Sequence, residues 1–133
     1  MAKYTPAVVL DGALNVINGN AIRMAALEGE PTSITDCTSL KGAGGNRISD
    51  EIVMAPADLP LANEGAGPTH FNRKIDVAAK GPIGVGADGT PDHVVLYSAT
   101  TIYEVTTVTT PPTVTTSSTL SFPTWATIFN QPT

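Results

Sequence analysis

The chain is 133 residues long, 41% hydrophobic and only 14% charged, with a formal net charge of −5 and a sequence pI near 4.7. That length fits one domain, and the composition excludes the low-hydrophobicity, high-charge signature of a disordered chain. The acidic balance argues against nucleic acid as a partner, because phosphate binding draws on clustered Lys and Arg, whereas here the basic residues are scattered and Arg73-Lys74 is the only doublet.

The first segment, residues 5–18, reads as a short amphipathic helix. Thr5 can cap it and Pro6 can occupy the first helical position, where a missing N–H costs nothing. Leu10, Leu14 and Ile17 then recur at helical spacing beside Val9 and Ala13. Asn18-Gly19-Asn20 supplies a stop, since Gly and Asn tolerate the left-handed cap. Ile22, Met24 and Ala26 alternate with Arg23, Ala25 and Leu27, which permits a strand, with a continued helix over 24–27 as the alternative. Residues 29–45, rich in Pro, Thr, Ser and Gly, read as loop.

Residues 48–54 form a short strand candidate. The Pro-containing stretch 55–60 after it cannot be a central strand, because each Pro lacks a ladder donor. A second loop is expected over 63–68 and a strand over 71–79, where Phe71, Arg73, Ile75 and Val77 alternate with Asn72, Lys74 and Asp76. Residues 81–92 carry Gly, Pro and Asp with a strong Asp88-Gly89 turn signal. His93-Val94-Val95-Leu96-Tyr97 reads as a buried strand, joined by a hairpin at 98–100 to a second strand over 101–108.

Ten of the twenty residues over 100–119 are Thr. That content suits either a low-complexity linker or a half-solvated β edge, and Ile102, Tyr103, Val105 and Val108 favour the edge. Residues 109–118, with Pro111-Pro112, read as an exposed crossing, and closing strands are expected at 119–122 and 125–129. The whole segment 109–133 is expected to be extended. Its Leu120, Phe122, Trp125, Ile128 and Phe129 are too apolar for a free tail and form the candidate interface, either closing the domain's own sheet or lying on a neighbouring subunit.

The residues that could carry chemistry form no credible catalytic centre. His70 and His93 lack ligand spacing, and polar roles at a loop and a strand end account for them better than a metal pair with Asp76 or Asp92. Cys37, the only cysteine, rules out an intrachain disulfide and reads as a small, semi-buried thiol rather than a nucleophile. Asp50-Glu51 reads as an inert surface doublet. Gly84-Val85-Gly86-Ala87-Asp88-Gly89 matches G-x-G-x-x-G but leads into a strand, whereas a dinucleotide site needs a helix there. Residues 42–45 lack the Lys-Ser/Thr ending of a phosphate loop, so both glycine runs read as flexible turns. No catalytic, cofactor-binding or metal residue is assigned, and no cofactor is expected. The N-terminal apolar stretch is too interrupted for a signal-peptide core, and no run approaches the ~20 apolar residues that span a bilayer, so no membrane partner is expected.

The order of parts carries a resemblance. Glu30-Pro31-Thr32, Ala55-Pro56-Ala57-Asp58, Arg73-Lys74-Ile75-Asp76-Val77, Thr90-Pro91-Asp92-His93-Val94 and Phe122-Pro123-Thr124-Trp125 follow the initial helix in sequence. This resembles a loosely defined family of small virion proteins of tailed bacteriophages, with a turn, a T-x-x-H-V strand, a Thr-rich hairpin and a late P-x-W. The chain departs from that pattern in its longer glycine loop at 41–46 and in Pro111-Pro112. The resemblance implies a non-enzymatic particle component, assembled in the host cytoplasm and resident in the virion.

The expectation for fold is one mainly β domain, an antiparallel sandwich or small barrel of immunoglobulin-like or jelly-roll-like type, with one N-terminal helix. The expected role is a capsid decoration or cement protein on the outer head lattice. Its partners would be the major capsid protein or other virion subunits, and further copies of itself in a homo-oligomer. A tail-associated subunit of tube, collar or fibre is the first alternative. A carbohydrate-binding or host-surface module using Tyr97, Tyr103 and Trp125 is the second.

Overall fold

The computed structural model describes residues 6–65 and 71–130. The expected cap Thr5 and the loop residue His70 lie outside them. In chain order the elements are α1 (Ala7–Asn20), β1 (Arg23–Leu27), α2 (Ile34–Thr38), β2 (Ile52–Val53), a 3-10 turn (Pro56–Asp58), β3 (Leu61–Glu64), β4 (Asn72–Val77), β5 (Lys80–Gly84), β6 (His93–Tyr97), β7 (Ile102–Thr107), β8 (Thr119–Phe122) and β9 (Trp125–Phe129). The protein is mainly β, as expected. Every strand pairing is antiparallel, within sheets ordered β2-β1-β6-β7, β3-β4-β9 and β5-β8.

The two inner strands of the four-stranded sheet, β1 and β6, are buried on both faces, which explains why they lack a clean inside-outside alternation. Met24, Ala26, Val94, Leu96 and Ile52 turn to the larger core, where they meet Ile75 and Val77 of β4, Leu14 of α1 and Phe122 of β8. Ala25, Leu27, Val95 and Tyr97 point the other way and pack with Cys37 and Ile34 of α2. Side chains on successive strand residues face opposite sides, so a strand between two apolar layers must be apolar at every position. A third, smaller cluster is formed by Ile48, Val85 and Val114, with Ala87 and Leu120 packed against it.

Several boundaries differ from expectation. Helix α1 starts after Pro6, which is its N-cap rather than its first residue, and it runs through Gly19 to stop at the extended Ala21. The Asn-Gly-Asn stop is not used because Asn18 is committed elsewhere. Its Nδ2 donates to the carbonyls of Leu59 (2.8 Å) and Pro56 (3.1 Å), holding the last turn helical against the 3-10 turn. Residues 29–45 are not all loop: Ser33 and Asp36 form a capping box that starts α2, and the Asp36 carboxylate accepts the Thr32 and Ser33 N–H groups.

The expected strand over 48–54 shrinks to Ile52–Val53. Conversely, β3 takes up Asn63 and Glu64, and β5 occupies the start of the expected turn region, so Gly84 lies in a strand. Within the crossing 109–118, Val114 is buried and exchanges backbone hydrogen bonds with Gly89. The β6–β7 hairpin forms as expected, with an irregularity in register between Leu96 and Tyr97.

Candidate interaction surface

Helix α1 has one face in the core and one in solvent. Its sequence contains two interior glycines and three valines, has no side-chain cap, and carries neither an acid in the first turn nor a base in the last. Such a segment is a weak helix by itself, with each glycine costing ~1 kcal/mol relative to Ala, and so depends on packing for its stability. Leu10 and Leu14 supply that packing on the inner face. Arg73 clamps Asp11 through two N–H···O bonds of 2.7 and 3.1 Å, tying the helix to β4.

The opposite face of α1 is largely apolar, with Asn15 as an exposed polar residue on it. Val8, Val9 and Val16 are 76%, 60% and 51% exposed, alongside exposed Gly12, Ala13 and Gly19. The only charged residue of the helix is Asp11, already engaged by Arg73. Nothing lies within 4 Å of where a Cβ at Gly12 or Gly19 would sit, so neither glycine is required by the protein's own packing. What remains is an uncharged surface whose two notches would admit a close neighbour. The expected apolar face of Leu10, Leu14 and Ile17 is the inner one, whereas Val9 and Ala13, expected beside it, are exposed, and the outer apolar face is not foreseen. The valines at 8, 9 and 16 were the available signal.

The five candidate interface residues divide. Phe122 belongs to the larger core, and Leu120 and Trp125 pack against it, so this part of the C-terminal segment closes the domain itself. Ile128 and Phe129 are 46% and 45% exposed on β9. Between β7 and the β8–β9 turn lies an apolar cleft of about 190 Å³, lined by Val94, Thr106, Val108, Phe122, Pro123 and Trp125. Tyr97 is fully buried and Tyr103 packs on the core, so they and Trp125 do not assemble an open aromatic platform.

Charge is largely consumed internally. Among the described residues, Arg23 meets Glu51, Lys41 meets Glu28, Lys74 meets Glu64 and Asp76, and Lys80 meets Asp58. Arg47 donates to the carbonyls of Ser49 and Thr38. The Arg73-Lys74 doublet is therefore no free basic patch. Glu64 and Asp76 raise the Lys74 pKa by hydrogen bonding, and the Lys41 ammonium followed by the Thr90 N–H lowers that of Glu28.

Several titratable groups are engaged in hydrogen bonds within the fold. Asp92 accepts from His93 Nδ1 and from the Gly29 N–H, each at 2.7 Å. The Gly29 N–H and then His93 hold its carboxyl below the usual range. An Asp–His pair activates a nucleophile only where the far ring nitrogen reaches one, and Asp92 is the hydrogen-bond partner described for His93. Cys37 is fully rather than partly buried, and burial, followed by the nearby Asp36 and Glu51 charges, pushes its thiol up to about 11. Glu51 of the surface doublet receives the Tyr97 hydroxyl at 2.6 Å. Among the described residues no three of His, Cys, Asp and Glu gather as a metal site, and no helix is long and apolar enough to cross a membrane. Searches against protein-family models, curated proteins and solved structures find no match.

Proposed function

We propose that the chain is a non-enzymatic structural subunit of a bacteriophage virion, a decoration protein that seats the outer face of α1 on the major capsid protein of the head lattice. The observation that carries this reading is the exposed, uncharged valine and glycine face of a helix whose other face already fills the core. An apolar patch of this kind on a small domain marks a contact surface, and the two open glycines would let a partner backbone approach closely. Internal pairing of the basic residues and a surface rich in Thr and Ser support a packing role over ligand chemistry. Many copies on a lattice turn a modest interface into firm attachment.

Quantitative mass spectrometry of purified particles from the phage that encodes the chain tests the reading. On the order of hundreds of copies per particle is expected of a decoration protein whose avidity comes from repetition. A count in the tens would move the chain to the tail, and its absence from particles would overturn the virion assignment. Val16→Glu and Gly12→Ala should both abolish binding to emptied heads while leaving the fold intact, because neither side chain is used internally. Retained binding by both variants would remove α1 from the interface.

A further inference from the structure

Residues 28–47 leave the end of β1, turn through α2 and the glycine loop, and return to the sheet at Ile48. They lie over the side of the four-stranded sheet that presents Ala25, Leu27, Val95 and Tyr97. The stem of this segment is firm: Leu27 pairs with Arg47, the Ile48 N–H bonds the Ala26 carbonyl, and Arg47 donates to that of Ser49. Further out its hydrogen bonds turn inward, as from the Asn46 N–H to the Asp36 carbonyl and from the Arg47 N–H to that of Ser39. Among the described residues, the hydrogen bonds that fasten the segment to the rest of the domain beyond its stem are two, and both end on a carboxylate. The Gly29 N–H donates to Asp92 and the Thr90 N–H to Glu28, each at 2.7 Å.

These two acceptors lie together. Glu28 faces the Lys41 ammonium, the Thr90 N–H and the like charge of Asp92. Asp92 faces the Gly29 N–H and the His93 ring. Gly89, beside them, has no side chain where the Glu28 carboxylate and the Lys41 ammonium approach its backbone. Asp36 belongs to the segment itself and holds the Thr32 and Ser33 N–H groups at the start of α2. Beneath the segment, Glu51 and Arg47 are the charges that face Tyr97. Apolar contact adds Cys37 and the half-buried Ile34 on the smaller cluster, and Leu40 beside Gly86.

A carboxylate that gains a proton loses its attraction for an ammonium, and its hydrogen bonds from N–H groups lose about half their strength. We infer that residues 28–47 form a lid over the Cys37–Tyr97 side of the sheet, latched by Glu28 and Asp92, which acid opens while the larger core stays folded. That core buries twelve residues and draws on α1, β4 and β8, none of which the latch touches. The Lys41 ammonium chiefly holds the Glu28 carboxyl below its ordinary 4.5, and the Gly29 N–H chiefly holds that of Asp92 below its ordinary 3.8. A carboxyl lowered in this way adds stability above its ordinary value and loses it as pH falls through the folded-state value. The lid is therefore held at neutral pH and released only below 4.5 and 3.8.

This device uses neither α1 nor a partner, so its test does not depend on the virion reading. Cys37 is the single thiol of the chain and is fully buried against the sheet, which makes it the reporter. A dithiodipyridine reagent labels thiols even in acid, and dividing each rate by that of the denatured chain at the same pH removes the intrinsic pH dependence. Between pH 7 and pH 3 the normalised rate on the full chain should rise at least ~10-fold, before any change in the fluorescence of Trp125, which packs on the larger core. Combining Glu28→Ala with Asp92→Ala should bring the open rate to pH 7 and remove the pH dependence. Asp58→Ala is the control, because that carboxylate also holds a backbone N–H but closes the 3-10 turn away from the lid; it should leave Cys37 labelling as in the native chain. A Cys37 rate that stays flat, or that moves only together with Trp125 fluorescence, would overturn the inference, as would a folded double variant that labels like the native chain. The native pH series decides even where the double variant fails to fold.

Discussion

Replacing Ser49 by alanine should cost far more than the loss of one small hydroxyl suggests. Ser49 is the one fully buried polar side chain among the described residues, and its Oγ accepts the Ala26 N–H and donates to the Asp50 carbonyl, both at 2.9 Å. It stands where β1 meets the segment carrying Ile48 to the other sheets: the Ile48 N–H bonds the Ala26 carbonyl, the Asp50 N–H bonds that of Gly84, and the Gly86 N–H bonds that of Ile48. Alanine would leave the Ala26 amide, in a strand with both faces covered, without its acceptor. A stranded buried donor costs ~1–3 kcal/mol, and we take about 2 kcal/mol here because the Asp50 carbonyl also loses its donor. With an m-value of about 2 kcal/mol per molar urea for a domain of this size, the unfolding midpoint should fall by about 1 M at unchanged slope. Ser118→Ala is the control: its Oγ accepts the Thr115 N–H at 3.1 Å on the surface, where water replaces it, so the change should stay within ~0.5 kcal/mol. If Ser49→Ala also stayed within that margin, the buried amide would have found another partner and the reasoning would fail.

Three further outcomes follow from the same structure. Burial raises the Glu104 pKa above its ordinary 4.5, so the folded state holds its proton to higher pH than the unfolded chain and stability falls as pH rises through that window. Glu104→Gln should therefore raise the thermal midpoint at pH 7, with the gain vanishing in a pH series as the solution is taken below 4.5. The Cys37 thiol, fully buried and pushed up to about 11, should react with a disulfide reagent at pH 8 only on the timescale of unfolding, and immediately in denaturant; fast reaction in the native protein would show the α2 layer to be open. A Cβ at Gly45 would run into the Ser39 carbonyl, so Gly45→Ala should destabilise by at least ~1–3 kcal/mol in urea titration, whereas the open Gly12 should accept alanine with a gain of about 0.5–1 kcal/mol.

Much of the β architecture was legible because it rests on local pattern. The continuous apolar run of β6, the turn residues before β7 and the alternation in β4 each register within a few neighbouring residues, which is the range over which strand and turn preferences act. The same range exposed the absence of ligand-spaced histidines. Short elements were less legible: α2 needed only the Ser33 and Asp36 box inside a segment whose Pro, Thr and Gly content spoke for loop, and β5 formed through Gly81 and Pro82 because β8 was there to pair with it.

Which apolar residues are buried and which stay exposed depends on contacts distant in sequence. Composition treats Leu14 and Val16, or Phe122 and Phe129, as equals, yet a helix face or strand side is buried only if another layer arrives opposite it. Arg73 on Asp11 and Asn18 on Leu59 set the rotation of α1 through partners 62 and 41 residues away, and that rotation turns Leu10 and Leu14 inward and Val8, Val9 and Val16 out. The register of β9 on β4 likewise sets Trp125 against buried Val77 and leaves Phe129, opposite Arg73, half exposed. Local pattern was enough to show a mainly β chain with apolar surface to cover. Where that surface lies was decided by long-range pairing, which no local pattern encodes.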